Sequence, residues 1–469
     1  MAIQYEHPQY TYYKVDWVKI RDVLAGERKI HDKGTTYLPK LSTRQTETSY
    51  DAYKARARFY NASKRTLLGW TGAVFRRLPS VAVPPGLEDR LLDINLQATP
   101  VKDFARQSLV ELLTTGRIGI LAEHQADPNG RAYLLLFKAE EIINWAYTVI
   151  DGVKKLTMVL LCYTVSELAE DGFSYNTITE YRELRLVNGI YIQNIYHVGG
   201  ENKEWSLVST VTPQVRGEPF TEIPFVFIGT ESLSPDIQES PLLEIATINL
   251  HHYKRSADLC HGLHLSALPT PYTLNASTSE DDTPVELGSG VMQNFNGTGV
   301  AVGFLEWGGS GINAVRQDMI DMKEEMASLG ASAITPPLRM AETAQAIEAK
   351  HDEQSAPLVN VVDVLSQGLT EALSWLVYWE GGDETSTSLS LNKQFVNSKL
   401  SAADIKALSE SLQIGAISEE LFAFLLESAE SLPPQVDYKL YAQELMAKKA
   451  ARSQQTPAPI SNGVSSTQM

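Results

Sequence analysis

Cysteine is nearly absent: Cys162 and Cys260 are the only two in 469 residues. They lie far apart and outside any CxxC or Cys/His spacing, which excludes a disulfide framework and a structural zinc site and points to a reducing compartment. Long apolar runs are also missing. No stretch approaches the roughly 18 uninterrupted apolar residues of a membrane helix, and the first residues, MAIQYEHPQYTYYK, lack a basic start followed by an apolar core. Neither secretion nor membrane spanning is expected. Enzyme signatures are lacking as well: HExxH, GxSxG and the phosphate-loop pattern GxxxxGK(S/T) do not occur. No strand–helix–strand alternation with a glycine-rich turn suggests a nucleotide-binding domain. The chain is therefore expected not to be an enzyme and to need no cofactor.

Positive charge is in deficit, with 40 Lys and Arg against 57 Asp and Glu and a formal net charge of -17. A protein that grips nucleic acid gains most of its affinity from cations on phosphates, so a static DNA-binding domain is disfavoured. Two readings of the acidity remain open: solubility alone, or a surface past which a polyanion must slide without being held.

What is present is a chain of ordinary apolar content, 43% hydrophobic, long enough for several folded regions. The run from Asp51 to Val74 has a helical period and a basic face, and Pro79, Pro84, Pro85 and Gly86 end it. A second helix is expected over Val101–Thr115, closed by Gly116. From Arg117 to Gly229 the texture changes to short β-rich runs separated by turn residues, which predicts mostly antiparallel sheet.

Ser240 as cap and Pro241 in the first turn then open a helix of about seven turns to Ala267. Leu243, Ala246, Leu250, Tyr253, Ala257, Cys260 and His264 fall on one face, which calls for a helical partner. A glycine- and serine-rich insert of hairpins reaches to Ile312, and a further helix is expected over Asn313–Ser332. Pro336 and Pro337 force an extended segment. A very long helix kinked at Pro357 follows, then the strand SLSLNKQF. A helical hairpin comes next, in which Ser401 and Asp404 form a capping pattern, Gly415 ends one helix and Ser418 starts the other. The tail from Ala451, rich in Ser, Gln, Thr and Pro, is expected to be disordered.

Two constellations invite a chemical reading. His251, His252, His261 and His264 share a helix with Asp258 and Cys260, and His261 and His264 have an i,i+3 metal-ligand spacing. Facing-helix ligands are not evident elsewhere, so interface histidines are favoured over a metal centre. Lys54, Arg56, Arg58, Lys64, Arg65, Arg76 and Arg77 are interleaved with Tyr53, Phe59, Tyr60 and Trp70 as in a nucleic-acid patch. In so acidic a chain a solvated or subunit-facing helix surface is favoured.

The blocks FYNASKRTLLGWTGAVFRRLP, LLTTGRIGILAE, EEIINW, IPFVFIG, SPLLEIATINLHHYKRSADLCHGLHLSALPTPY and LEWGGSGINAVRQDMIDMKEEMASLGA followed by AETAQA occur in an order that resembles the tailed-phage portal family. They look most like its subfamily described as a domain of unknown function, and the resemblance covers almost the whole chain. It implies an α+β portal fold: a wing (1–239), a first stem helix (240–267), a small β-rich clip (268–312) and a second stem helix (313–332). A tunnel loop (333–340), a long kinked helix with a returning wing strand (341–399), a helical crown (400–450) and a disordered tail (451–469) complete it. The tunnel loop comprises Thr335, Pro336, Pro337, Leu338 and Arg339.

The resemblance further implies a closed homo-oligomeric ring, normally a dodecamer, at one capsid vertex of the virion, assembled in the host cytoplasm. Implied partners are the large terminase subunit, the head-tail adaptor, major capsid and scaffolding proteins, and double-stranded DNA in the channel, with no membrane. ATP hydrolysis belongs to the terminase. Arg339, and then Lys254, Arg255 and Lys323, are the DNA-proximal candidates; simple pairing with neighbouring carboxylates is the competing role. Another virion component, such as a minor head or adaptor protein, is the second reading, and a metal-dependent enzyme using the histidine helix the third.

Overall fold

The computed structural model describes residues 3–125, 130–150, 152–169, 171–199, 204–267, 270–275, 298–305, 309–331, 344–395, 402–428 and 438–454. They divide into two units, Met1–Lys393 and Gln394–Met469. Helices and antiparallel sheets segregate along the chain, an α+β architecture as expected.

The first unit opens with α1 (Pro8–Ala25), α2 (Glu27–Asp32), α3 (Glu47–Arg56) and α4 (Ala62–Val74). The single helix expected over 51–74 is thus two. Ala57 takes an extended conformation after α3, and Asn61 restarts the helix by accepting the Lys64 amide on its side chain at 2.9 Å. A short polar side chain that competes for backbone amides favours a cap over a helix interior.

After β1 (Ser80–Ala82) comes α5 (Val101–Thr115), closed at the expected residue. Gly116 sits at φ +77°, and a Cβ there would lie 2.3 Å from the Gln238 carbonyl oxygen, so both conformation and space demand glycine.

The expected sheet region contains β2 (Arg117–His124), β3 (Ala132–Lys138), β4 (Ile142–Ile150), β5 (Val153–Leu168), β6 (Tyr175–Val187), β7 (Ile190–Gly199) and β8 (Glu204–Val211). The short β9 (Gln214–Val215) and β10 (Glu218–Pro219) and then β11 (Phe225–Gly229) follow. Strands β4 to β8 form a five-stranded antiparallel meander, and β11, β2 and β3 a separate antiparallel sheet in that order. Every residue of β11 is buried, as are Ile118, Ile120, Leu121 and Ala122 of β2. Each such aliphatic side chain contributes roughly 1.5–3 kcal/mol through burial.

The chain continues through α6 (Leu243–Ala267), the antiparallel pair β12 (Thr270–Leu274) and β13 (Ala301–Leu305), and α7 (Gly309–Met326) with a π-helical turn at Ala327–Ala331. The second long helix therefore starts inside the segment assigned to the insert. Helix α8 (Ala344–Trp379) is continuous through Pro357. It packs against β2, β3 and β11 with Val362, Leu365, Leu369 and Leu376 buried, and Trp379 Nε1 donates to the Ala122 carbonyl at 3.1 Å. The returning strand β14 (Ser388–Ser390) is shorter than expected and pairs antiparallel with β1. The expected tunnel loop, Thr335 to Arg339, lies outside the described residues, as does most of the expected clip.

The second unit holds α9 (Ala402–Gln413), α10 (Glu419–Ser428) and α11 (Tyr438–Gln454). Gly415 at φ +78° follows α9, and Ser418 Oγ accepts the Leu421 amide at 3.1 Å to start α10, both as expected. Ser401 lies outside the described residues. Residues 451–454, expected to be disordered, extend α11 as helix; the rest of the tail lies outside the described residues.

Candidate functional site

Helices α6 and α7 form the element that the sequence singled out. Arg255 Nε meets Asp318 Oδ2 at 2.8 Å, and a Cβ on Gly262 would lie 3.9 Å from Ile312. Positions rise along α6 as they fall along α7, so the two helices run antiparallel with the β12–β13 pair joining their ends. At the other end, the π-helical turn docks on α4: Trp70 Nε1 donates to the Gly330 carbonyl at 3.0 Å. A Cβ on Gly330 would lie 2.4 Å from Thr66 Oγ1, so this approach needs glycine.

The face of α6 read from the sequence is buried in its middle, at Ala246, Leu250, Tyr253 and Ala257, while Leu243 and Cys260 are half-buried and His264 is exposed. Helices supply its cover, as expected. Alongside α7, the N-terminal helices α1, α3 and α4 of the same chain pack on α6. Tyr253 lies 5.9 Å from the Phe59 ring and 5.8 Å from His31, Tyr53 Oη donates to Asp258 Oδ1 at 2.7 Å, and the Arg58 amide donates to Ser256 Oγ at 3.0 Å. Aromatic residues at 53 and 59, taken as part of a basic patch, complete this packing.

Asn249, fully buried on α6, is the polar centre of the joint. Its Oδ1 accepts the amides of Ala62 at 3.0 Å and Ser63 at 3.2 Å, and its Nδ2 donates to the Tyr60 carbonyl at 2.7 Å. One side chain thus satisfies the first amides of α4, which have no partner inside that helix. Sequence reasoning passed over it. The available signal was an Asn one turn after Ile245 and Ala246 and one turn before Tyr253, on the side of the helix that needs cover.

The three described channel candidates differ in surroundings. Arg255 is held by Asp318 and, at 3.7 Å, by Asp258. Lys323 Nζ lies 5.2 Å from the Tyr60 ring centroid. Lys254 makes no ion pair among the described residues and borders a shallow cavity with Leu41, Tyr53, His251 and Met322. Arg339 lies outside the described residues.

The histidines do not converge. His252 is buried without a hydrogen-bond partner among the described residues, and burial, aided by Lys323, pushes its pKa down to about 4. His261 meets the edge of Tyr53 at 5.4 Å, and burial lowers its pKa too. His264 Nε2 sits 3.1 Å from Arg56 Nη2, and His251 is exposed. Among the described residues no three His, Cys, Asp or Glu side chains gather as a metal centre requires.

The basic cluster is likewise dispersed. Tyr53, Phe59 and Trp70 are buried and offer no face to a nucleic-acid base. Lys54 pairs with Asp51 at 3.4 Å, Arg56 donates to the Ala52 carbonyl at 2.8 Å, and Arg65 lies over the Tyr60 ring.

One further polar group escaped the sequence reading. Arg117, at the start of β2, is completely buried; its guanidinium lies 3.8 Å from the Trp145 ring centroid and 4.6 Å from that of Phe227. None of its three nitrogens has a hydrogen-bond partner among the described residues, and burial pushes its pKa down to about 9.

Residues 241–380 match a sequence-family model described as a domain of unknown function, DUF4055. The matched segment begins just before α6, ends one residue after α8, and contains the whole helix–insert–helix arrangement. No curated protein matches. Among solved structures, the chain is similar to one titled "Neck of empty GTA particle computed with C6 symmetry". The identity is 14% and the TM-score 0.41, with 80% of this chain and 91% of that one covered. It is also similar to one titled "Neck of native GTA particle computed with C12 symmetry", at 13% identity and TM-score 0.37, with the same coverage.

Proposed function

We propose that this chain is the subunit of a phage portal ring, the channel at one capsid vertex through which double-stranded DNA is packed, retained and released. The observation that carries the reading is the antiparallel α6–α7 pair around a β insert, followed by the proline-bounded segment and α8, within the stretch that matches the family model. Two antiparallel helices with a strand pair at one end, anchored at the other to a helical and sheet body, suit a tube built by repeating one subunit about an axis.

In this reading α6 and α7 are the stem, the insert faces outward to meet the terminase motor and later the head-tail adaptor, and the segment around Thr335–Arg339 contacts DNA in the tunnel. Contacts to major capsid and scaffolding proteins and a dodecameric ring belong to the same proposal. The subunit acts as a passive conduit, with ATP hydrolysis supplied by the motor. Among the described cations, Lys254 and Lys323 are the stronger DNA-proximal candidates, because Arg255 is already engaged by two carboxylates. Few cations in an acidic wall let a polyanion slide, since each released phosphate contact is weak and salt-sensitive.

Negative-stain microscopy of the purified chain tests the reading: monodisperse rings with a central hole are expected. A compact monomer under all assembly conditions would refute it and favour another virion component. Deleting Thr335–Arg339 is expected to leave rings intact while impairing DNA packaging or retention. Loss of rings in that deletion would show the tunnel segment to be misassigned.

A further inference from the structure

Helix α7 carries charges of opposite sign on its two flanks. Met319 and Met322 are half-buried and Met326 is buried, which marks the side of α7 that packs against the rest of the chain. At about 100° per residue, Lys323 and Arg316, one heptad apart, share one flank of that side, and Asp318, Asp321 and Glu325 share the other. The contacts agree with this division. Lys323 Nζ lies 5.2 Å from the ring centroid of Tyr60, which precedes the α4 cap Asn61. Asp318 meets Arg255, whose other partner Asp258 accepts the hydroxyl of Tyr53 on α3.

On the cationic flank the Arg65 guanidinium lies 5.3 Å from the same Tyr60 centroid, so two cations border one ring. Tyr60 is held in place, since its carbonyl accepts Asn249 Nδ2 at 2.7 Å. Arg65, Arg316 and Lys323 are exposed, and none makes an ion pair among the described residues. Like charges gathered without a carboxylate in reach repel one another, and an anion from outside the chain relieves the repulsion. On the acidic flank Arg255 is taken up by Asp318 and Asp258 at 2.8 and 3.7 Å. Asp321 accepts Gln317 Nε2 at 2.7 Å and, like Glu325, is exposed and without an ion pair among the described residues. Even with Arg255 and Lys254 counted, Asp258, Asp318, Asp321 and Glu325 leave this flank net negative.

We infer that a second copy of the chain lays the Asp321 and Glu325 flank of its α7 against Lys323 and Arg65. Rotation about an axis along the stem preserves height, so residues that pair across the contact must sit at one level on opposite flanks. Lys323 meets this condition: it lies between Asp321 and Glu325, about 3 Å in height from each at ~1.5 Å per residue. Ile320, 42% exposed beside Lys323 on the cationic flank, adds apolar area. A contact between opposite flanks is head-to-tail, the kind that propagates around a ring when its rotation closes, and its charges set the register. The inference rests on the ring proposed above. Of the two free cations named there, it gives Lys323 to a neighbouring copy and leaves Lys254 to DNA.

The test uses three variants of the full chain: Lys323→Glu with Arg65→Glu, Asp321→Lys with Glu325→Lys, and all four substitutions together. Negative-stain microscopy and sedimentation give the protein concentration at which each assembles. Either reversed pair sets like charges against each other and is expected to raise that concentration by about 10-fold or more. The four-fold variant exchanges the two signs and is expected to regain most of the parent's assembly. All four side chains are exposed, so the far-UV circular dichroism of every variant is expected to match the parent.

Parent rings with a reversed pair assembling at the parent's concentration, or with no recovery in the four-fold variant, overturn the docking and leave the ring standing. Loss and recovery in a parent whose complexes are not closed rings support the docking and overturn the ring. A parent that does not self-associate overturns both.

Discussion

Asn249 Oδ1 lies 3.2 Å from both the backbone nitrogen and the hydroxyl oxygen of Ser63, so a buried amide in the second turn of α6 caps the first turn of α4. The joint between the N-terminal helices and the proposed stem is therefore a directional hydrogen-bond set within an apolar contact, which fixes rotation and register as well as proximity.

Asn249→Ala leaves two amides, one hydroxyl and one carbonyl without this partner in a buried site, and is expected to cost about 2–4 kcal/mol in urea denaturation. Asn249→Asp keeps the acceptor at a helix N-terminus but loses the donor to the Tyr60 carbonyl, so it should be milder. Equal stability of the alanine variant and the parent would show that the cap is dispensable.

His252 gives a pH signature. Its folded-state pKa is lowered to about 4 by burial and Lys323, below its ordinary value of 6.5. Between those values the unfolded chain binds the extra proton, so stability rises with pH across this window. It is fully present above about 6.5 and falls by about 2–3 kcal/mol as pH drops toward 4. His252→Gln removes the titration, so its urea midpoint should fall less than the parent's from pH 7 to pH 4.5. Parallel declines would mean that His252 is not held neutral.

Arg117 is expected to be a net liability for stability. Its folded-state pKa, pushed by burial well below the usual arginine value to about 9, means that the cost of burying the cation develops as pH falls toward 9 and is complete below that. The Trp145 and Phe227 faces offset part of it. Arg117→Met, similar in length and apolar, is expected to leave the fold unchanged at neutral pH or stabilise it by about 1–4 kcal/mol. Thermal and urea denaturation of the purified variant measure this, and a loss of several kcal/mol would show that the guanidinium has a partner supplied on assembly.

Much of the architecture was legible because it depends on local rules. Gly116 and Ser418 mark helix ends by backbone conformation and hydrogen bonding with near neighbours in sequence, and the meander from β4 to β8 joins strands adjacent in the chain. The break at Ala57–Asn61 was missed because apolar spacing continues across it while Asn61 caps a new helix. The part played by α1, α3 and α4 in covering α6 was not legible, because periodicity says which residues need cover but not what supplies it.

By itself, the sequence determined the α+β order, the helix–insert–helix segment, and the absence of known enzyme signatures, since these follow from period, turn chemistry and residue type. Only the tertiary structure decided that Tyr53, Phe59 and Trp70 face a core instead of a nucleic acid, and that Asn249 caps a helix almost two hundred residues earlier. It also placed Arg117 against Trp145 without a hydrogen-bond partner among the described residues. Each of these depends on groups distant in the chain meeting in low-dielectric surroundings, where hydrogen-bond geometry and desolvation set the energy, and no local pattern records such meetings.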